Sequence, residues 1–388
     1  MTTSLRTQIE NAVREACREI AGDKLPTIIL QKPRRAGHGD LSTNVALLLS
    51  REKKTPAPEI ARQIADRLNR LPDFNPAVCE RVEVAGGGFL NFFLAHGALH
   101  QQLGSILSLG DGYGRCLPER PRSVQIEFVS ANPTGPLTVA HGRQAAVGDS
   151  LARILTLAGH RAVREYYLND KGKQIRMLGF STLQRYRELF GREVTIPEDG
   201  YCGEYVKEIA ARIKARDDEK WLTADEEEAL AFFSDFSARE ILQTIEKDLD
   251  DFHVRFDHWT SEKEFASSGK IEACLEFMRN KGFIYEQDGA VWFRSSAFGD
   301  DKDRVLVKSD GAQTYFTPDI AYHRDKFDRG FDRVIDLWGP DHHGYVARMK
   351  AAVKALGCDV ERFTPLIVQL TTLFRGSQKL SMSTRAGI

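Results

Sequence analysis

Residues 130–143 read Ser-Ala-Asn-Pro-Thr-Gly-Pro-Leu-Thr-Val-Ala-His-Gly-Arg, a turn-rich segment between a strand pattern and a helix pattern. The strand pattern precedes it, as Val-Gln-Ile-Glu-Phe-Val over residues 124–129. This order builds the phosphate sites of doubly wound α/β folds, because a helix N-terminus offers unpaired N–H groups and a partial positive charge. His141 lies at that N-terminus and can add a donor to a phosphate oxygen. We expect the helix to carry an apolar face formed by Val147, Leu151, Ile154 and Ala158.

Length and composition limit the class of protein. A chain of 388 residues is too long for one ordinary core and predicts two or more domains. Hydrophobic residues make up 42% and charged residues 28%, which is typical of soluble globular proteins. Because the formal net charge is only −1, any contact with nucleic acid must come from a local basic patch.

The cysteines and the apolar runs indicate a cellular compartment. The six cysteines are scattered without a Cys-x-x-Cys pair, which argues against a zinc site and against a disulfide framework. No apolar run approaches the roughly 18 residues that a membrane span needs. The first residues also lack the apolar core of a signal peptide. We therefore expect a cytoplasmic protein without a membrane partner.

The first 115 residues have the pattern of a separate domain. An amphipathic first helix precedes a helix-like run over residues 41–49, and prolines at 56 and 58 favour the start of a further helix. Residues 82–94 then read as two strands around a glycine turn. This domain holds 15 Lys and Arg against 12 Asp and Glu, a surplus that predicts either a nucleic-acid surface or an ordinary solvated face.

The rest of the chain alternates between strand and helix patterns. Residues 162–170 read as the next strand, and residues 180–250 are largely helical and highly charged, which predicts a helical insertion. Short β-like runs follow over residues 283–308, and a further strand is expected over residues 333–338.

Residues 130–143 resemble the HIGH region of class I aminoacyl-tRNA synthetases, and their Ser-Ala-Asn-Pro-Thr-Gly-Pro opening resembles the arginyl-tRNA synthetases. Further resemblances to that family lie at residues 39–46, 82–92, 167–174, 314–326, 338–344 and 379–385. They imply an α/β fold, in which a Rossmann-type parallel sheet with a helical insertion follows a small α+β N-terminal domain. The implied boundaries are residues 1–115 for the N-terminal domain and 116–388 for the catalytic domain, with sheet halves at about 120–180 and 283–388 around an insertion at about 181–282.

The resemblance also implies a reaction and its partners. Members of this family use ATP, as its Mg²⁺ complex, to activate L-arginine as arginyl-adenylate and then transfer arginine to tRNA-Arg. No tightly bound cofactor is implied. The N-terminal extension of the family contacts the outer corner of the tRNA, and we expect the same of residues 1–115. Such a reaction depends mainly on aligning two anions and neutralising charge on the departing pyrophosphate.

Phosphate binding is the first task that the resemblance assigns to particular residues. It places His141 at the phosphates as a catalytic residue, although a histidine here could instead cap the helix. The family pattern has a second histidine three positions earlier, where this chain has Thr138, which can donate a hydrogen bond but carries no charge. The backbone contacts to ATP are assigned to Pro133, Gly135 and Gly142.

Arginine recognition requires acidic residues, because a guanidinium presents five donors and no acceptor. The resemblance places Asp319 against the guanidinium, with the Tyr315 hydroxyl as a partner and Glu262 as a second acid. It places Glu127 and Asn132 near the α-amino group. Each carboxylate could instead be an ordinary surface charge or a helix cap.

The nucleoside and pyrophosphate ends of ATP are assigned to two later segments. Gly339 lets the backbone approach closely, Asp341 can accept from ribose hydroxyls, and His342 lies beside them. A metal site at the His342–His343 pair is disfavoured, because consecutive side chains on a strand point to opposite faces. Residues 379–385 resemble the KMSKS loop, whose lysine positions hold Ser381 and Thr384 here. The remaining candidates are Met382 and Ser383 for ATP binding and Lys379 and Arg385 as catalytic cations.

Two alternatives to an active, arginine-specific ligase stay open at this point. The resemblance covers the catalytic and N-terminal parts of the family, but residue 388 lies just past the KMSKS-like loop, so we expect a fragment without the anticodon-binding domain. The altered motifs also fit a catalytically impaired or repurposed homologue that acts as an RNA-binding or regulatory module. Another amino acid as substrate is the second alternative. We expect a monomer.

Overall fold

The chain separates into two units, residues 1–114 and residues 115–388. In the computed structural model, the residues described are 4–22, 25–33, 35, 37–115, 118–369, 371–380, 382 and 384–385. Within this part of the chain, no helix combines the length and the apolar composition that crossing a membrane requires. The described cysteines are free thiols: Cys17, Cys79, Cys202, Cys274 and Cys358.

The N-terminal unit packs helices against a small three-stranded antiparallel sheet, in which residues 89–94 form the central strand. Three of its helices, over residues 5–21, 45–53 and 57–70, pack their buried apolar faces with this sheet in a single core. The elements are α1 (Leu5–Ala21), β1 (Leu41–Thr43), α2 (Val45–Lys53), α3 (Ala57–Arg70), β2 (Cys79–Ala85), β3 (Phe89–Leu94) and α4 (His96–Leu109).

Strand β1 is a difference from the sequence prediction, which gave residues 41–49 as helix-like. Residues 41–43 instead pair with β3. Gly39 has a φ of +81°, and an added Cβ there would lie 2.6 Å from the Phe92 carbonyl oxygen. The Asp40 N–H also donates to that oxygen at 2.8 Å. These contacts hold the chain against β3, so the helix begins only after Asn44.

The second unit contains a parallel five-stranded sheet, a separate three-stranded antiparallel sheet and a short hairpin. Its strands are β4 (Ser123–Glu127), β5 (Arg161–Leu168), β6 (His258–Ser261), β7 (Ile284–Gln287), β8 (Ala290–Phe293), β9 (Arg304–Val307), β10 (Arg333–Trp338), β11 (Phe363–Ile367), β12 (Leu373–Arg375) and β13 (Gln378–Leu380). Its helices are α5 (Val139–Leu157), α6 (Lys173–Glu188), α7 (Glu204–Asp217), α8 (Glu226–Asp251), α9 (Glu262–Ser267), α10 (Lys270–Asn280), α11 (Phe316–Asp328) and α12 (His343–Ala355).

The parallel sheet has the order β11-β10-β4-β5-β6, so the direction of winding reverses between β4 and β10. The expected fold class, a Rossmann-type parallel sheet with helices and a small α+β N-terminal domain, is confirmed. Two of its strands were not foreseen. One is β11, which pairs in parallel with β10. The other is β6, which pairs in parallel with β5 although it lies inside the range expected as a helical insertion. Four residues without clear alternation carry little strand signal, and the pairing with β5 forms the strand.

Helix α5 follows the turn at residues 130–138, but the apolar face expected for it is wrong. Val147 is 41% exposed and Ile154 is 62% exposed. The buried face instead contains Gly148, where an added Cβ would lie 2.2 Å from the Phe128 ring. It also contains Asp149, which pairs with Arg164 at 2.8 Å. Close backbone packing and a compensated charge therefore outweigh apolar periodicity here.

Candidate active site

A cavity of about 270 Å³ lies at the carboxyl ends of the parallel strands, beside the switch between β4 and β10. Doubly wound sheets bind their ligands at such switch points, because the loops diverge there and leave a crevice. The structure brings all five residues predicted to bind arginine to its walls: Glu127, Asn132, Glu262, Tyr315 and Asp319. Gly339 and His342, predicted for the nucleoside, line the same cavity.

A strained turn after β4 shapes one wall of this cavity. Val129 has a φ of 67° and Ser130 a φ of 39°, in the left-handed region that a β-branched residue rarely occupies. The turn brings the Ser130 hydroxyl 3.0 Å from the Glu127 carboxylate, to which it donates. The Ser130 hydroxyl oxygen also accepts from the Tyr167 N–H at 3.1 Å. Strain of this kind persists only where the surrounding structure holds it, and here it orients Glu127.

Asp319 lies in the first turn of α11 and is half-buried in the wall of the cavity. Burial raises the pKa of its carboxyl, and the Tyr345 hydroxyl, which donates to it, partly opposes that effect. Sequence reasoning named Tyr315 as the hydroxyl near this carboxylate and missed Tyr345. Tyr315 is 77% exposed and lies on the cavity wall.

Glu262 begins α9 directly after β6, which places a second acid at the same sheet edge. Burial, together with the negative charges of Asp319 and Asp170, raises the pKa of Glu262 to about 7. A cation between Glu262 and Asp319 would relieve this repulsion, since opposite charges favour the ionised form. The cavity is therefore suited to a cationic ligand.

A buried ionic cluster lies beneath the cavity, and sequence reasoning missed it. Lys326 is 0% exposed, and its ammonium donates to Glu127 at 2.5 Å and to Asp336 at 2.8 Å. Burial would lower the pKa of Lys326, but the two carboxylates raise it above its ordinary value. Burial raises the pKa of Glu127, and the ammonium opposes this rise. The one available signal was an aspartate at position 336 inside an apolar strand.

Glu165 on β5 anchors the same region from the neighbouring strand. Arg329 contacts it with two nitrogens at 2.9 and 3.0 Å, and the Tyr322 hydroxyl donates to it at 2.5 Å. Burial opposes ionisation, but Arg329 outweighs it and lowers the pKa of Glu165 to about 2. This pair ties α11 to the sheet, and thus sets the position of Asp319 on the same helix.

A second cavity of about 280 Å³ adjoins the first, and Asn132 lines both. Its walls include Gly135 and His141 from the turn before α5 and Arg385 from the KMSKS-like segment. Asn132 also donates to Gln174 at 2.8 Å, and Gln174 lines this cavity too. The helix N-terminus, a histidine and an arginine on one cavity can bind an anion.

His141 caps α5 and also lines the second cavity, so the two interpretations offered by the sequence are compatible. The Thr138 N–H donates to His141 Nδ1 at 3.0 Å. Nδ1 is therefore an acceptor, and the neutral ring carries its proton on Nε2. Burial lowers the pKa of His141, which also favours this neutral form. His141 can thus offer one N–H donor to a ligand without adding a charge.

The turn before α5 and the KMSKS-like segment are closely packed. An added Cβ at Gly135 would lie 2.6 Å from Thr384 Cγ2, which only a glycine avoids. The Tyr205 hydroxyl lies 2.8 Å from the Thr134 carbonyl oxygen and 3.2 Å from the Thr384 carbonyl oxygen. Arg385 is held on the same side, since its carbonyl accepts from the Cys202 N–H at 3.1 Å.

Other predicted residues lie elsewhere. Lys379 is exposed on β13, and Asp341 is exposed and lies 3.5 Å from His342. Pro133 lines a different, smaller cavity beside α8. Of the described residues, neither cavity includes Thr138, Gly142, Lys379, Asp341 or Met382 in its lining. Ser383 lies outside the described residues, and in the part of the chain that is described no three His, Cys, Asp or Glu side chains form a metal-binding group.

Family models match both units of the chain. The model described as "tRNA synthetases class I (R), catalytic domain" matches residues 102–388, and "Arginyl tRNA synthetase N terminal domain" matches residues 4–94. The parallel sheet, its switch-point cavity and the first match define a class I aminoacyl-tRNA synthetase catalytic domain. With the second match and the relatives described next, the chain belongs to the arginyl-tRNA synthetase family, and this identification is confirmed.

Curated relatives and solved structures agree with this family. The arginine–tRNA ligase of Oceanobacillus iheyensis is 47% identical over 99% of this chain and 68% of its own length. The arginine–tRNA ligase of Bacillus subtilis is 46% identical over 94% of this chain and 65% of its own length. An arginyl-tRNA synthetase structure from Campylobacter jejuni is 34% identical and covers 73% of this chain and 62% of that chain, with a TM-score of 0.68. The chain therefore spans about two thirds of the length of its relatives, which are enzymes of the ligase class.

A more distant structure supports the fold alone. The Thermus thermophilus arginyl-tRNA synthetase is 23% identical, with a TM-score of 0.67 over 94% of this chain and 66% of that chain.

Proposed function

We propose that this chain activates L-arginine with ATP and transfers it to the 3′-terminal adenosine of tRNA-Arg. The observation that carries the proposal is a pair of adjoining cavities with opposite electrostatic character. Glu127, Glu262 and Asp319 make the first cavity acidic, and His141 and Arg385 supply donors to the second. An arginine with its cationic groups in the first cavity can direct its carboxylate towards the second.

In this proposal the guanidinium lies between Glu262 and Asp319, and the α-ammonium lies against Glu127 and Asn132. The carboxylate oxygen then attacks the α-phosphorus of ATP, an O–P bond forms, and the bond to the β-phosphate oxygen breaks as pyrophosphate leaves. ATP enters as its Mg²⁺ complex. The protein contributes alignment and preorganised donors, chiefly the α5 N-terminus, His141 Nε2–H and Arg385.

We further propose that the N-terminal unit contacts the tRNA. A cavity of about 550 Å³ in this unit is lined by two cations, Lys32 and Arg35, together with His38, Phe89 and Asn91. Proteins usually recognise RNA with cations that contact its phosphates, together with aromatic rings and amides that contact its bases. We also propose that the chain is a monomer and acts in the cytoplasm. Sedimentation velocity would test the monomeric state.

The experiment that tests the main proposal is arginine-dependent ATP–pyrophosphate exchange, with and without tRNA-Arg. Exchange with arginine but with neither lysine nor glutamine supports the proposal. Absence of exchange while arginine still raises the melting temperature would instead favour the impaired or RNA-binding homologue, since a ligand stabilises any fold that binds it. Stabilisation by another amino acid and not by arginine would overturn the proposed substrate.

A further inference from the structure

A continuous chain of polar contacts runs beneath the first cavity, from the backbone of Asp319 to the carboxylate of Glu127. It starts at the Asp319 carbonyl oxygen, which lies 2.7 Å from His323 Nδ1. His323 Nε2 lies 2.8 Å from one oxygen of Asp336, whose other oxygen accepts from Lys326 at 2.8 Å. Lys326 then donates to Glu127 at 2.5 Å.

The geometry sets the order of the polar groups along this chain. Both ring nitrogens of His323 face oxygen atoms, the Asp319 carbonyl and the carboxylate of Asp336. The Lys326 ammonium then lies between the carboxylates of Asp336 and Glu127. His323 is 5% exposed, Asp336 1% and Lys326 0%, so water has little access to replace a lost partner.

Sheet register explains why a cation is needed at this point. Asp336 on β10 lies opposite Glu127 on β4, in neighbouring parallel strands. Two carboxylates at directly opposed positions repel each other. The Lys326 ammonium contacts both, which allows both to remain ionised at this spacing.

We propose that Lys326 is a positioning residue, which with Asp336 and His323 holds Glu127 in place for the α-ammonium of the bound amino acid. This inference rests on the proposed function. It assigns to Lys326 an effect on the amino-group end of the ligand that is transmitted through Glu127. Removing the ammonium would leave Glu127 free to turn away or to take up a proton.

The test edits both partners, the protein and the ligand. Lys326→Met removes the ammonium and keeps much of the side-chain length, and Lys326→Arg keeps a cation. Lys270→Met is the matched control, because Lys270 forms a 2.6 Å ion pair with Asp325 on the same helix, away from the cavity. Each protein is titrated with arginine, with 5-guanidinopentanoate, which lacks the α-amino group, and with ATP, by equilibrium dialysis.

We expect Lys326→Met to weaken arginine binding by about 30-fold or more at pH 7. The affinities for 5-guanidinopentanoate and ATP should change by less than about threefold, since neither ligand uses Glu127. The loss should shrink as pH rises, because burial raises the pKa of Glu127 and the opposing ammonium is gone. Lys326→Arg should show a smaller loss with the same ligand selectivity, so the test stands if Lys326→Met does not fold.

Equal losses for arginine and 5-guanidinopentanoate in either folded variant would overturn the inference, because a general structural defect does not depend on the α-amino group. Unchanged arginine binding in both variants would overturn it too. Failure of the proposed function is a separate result, recognised when the wild-type protein itself binds no arginine.

Discussion

Arginine binding should depend on pH through Glu262, whose pKa is raised to about 7 by burial and by the charges of Asp319 and Asp170. The ionised carboxylate is the form that attracts a guanidinium. Affinity should therefore rise as pH increases through 7 and level off above 8. The relevant perturbation is a change of pH from 8 to 6, with the temperature and the salt concentration held constant.

The magnitude follows from the fraction of Glu262 that is ionised. With a pKa of about 7, about ten elevenths of the carboxyls are ionised at pH 8 and about one eleventh at pH 6. Arginine affinity should thus fall about 10-fold across this interval, or by about 1.4 kcal/mol. At pH 7, binding should release about half a proton, because the bound guanidinium lowers the pKa of Glu262.

Isothermal titration calorimetry in two buffers of different ionisation enthalpy measures both the affinity and the proton release. Glu262→Gln should bind arginine weakly at every pH and should lose the steep part of the profile between pH 6 and 8. Glu264→Gln, an exposed acid on the same short helix, is the matched control and should behave like the wild type. Burial also raises the pKa values of Asp319 and Glu127, so a shallower dependence is expected to remain in Glu262→Gln. A flat wild-type profile, or an undiminished slope in Glu262→Gln, would refute the reasoning.

Three further predictions concern the two cavities. Asp319→Asn should weaken arginine binding by about 30-fold or more, while the affinity for ATP stays within about twofold. Thermal shifts measure the binding of each ligand, and an equal loss of affinity for arginine and ATP would mean that the site is misplaced. Gly135→Ala should reduce pyrophosphate exchange about 10-fold or more, since its Cβ would meet Thr384 at 2.6 Å. The melting temperature should change little. A rate of exchange equal to that of the wild type would contradict this close packing. Arg385→Ala should raise the KM for ATP more than Lys379→Ala does, because Arg385 lines the second cavity, and the reverse order in exchange kinetics would identify Lys379 as the phosphate-binding cation.

The local signals in the sequence predicted local structure well where one short segment decides it. The turn at residues 130–138 is flanked by a strand and a helix, as its composition indicates. The start of α3 beside Pro56 and Pro58 was likewise predictable, because proline has no N–H of its own to leave unpaired in the first turn of a helix. These features depend on a few consecutive residues, so one sequence contains the necessary information.

Local periodicity failed where packing against another element decides the outcome. The buried face of α5 is determined by the Phe128 ring beneath Gly148 and by the charge of Arg164 beside Asp149. Strand β6 exists because β5 offers a free edge to pair with. In both cases the deciding partner lies in another element of the fold, and the segment itself carries no sign of it.

The sequence by itself determined the chemistry of the site: which acids, amides and glycines are present, and in which motifs they stand. Only the tertiary structure decided which of them share a cavity and what charge they carry. Lys326 and Glu127 are 199 residues apart along the chain, and Tyr345 and Asp319 are brought together by the packing of α12 on α11. Protonation states and side-chain orientations are properties of such long-range contacts, because burial and the nearest charge set them.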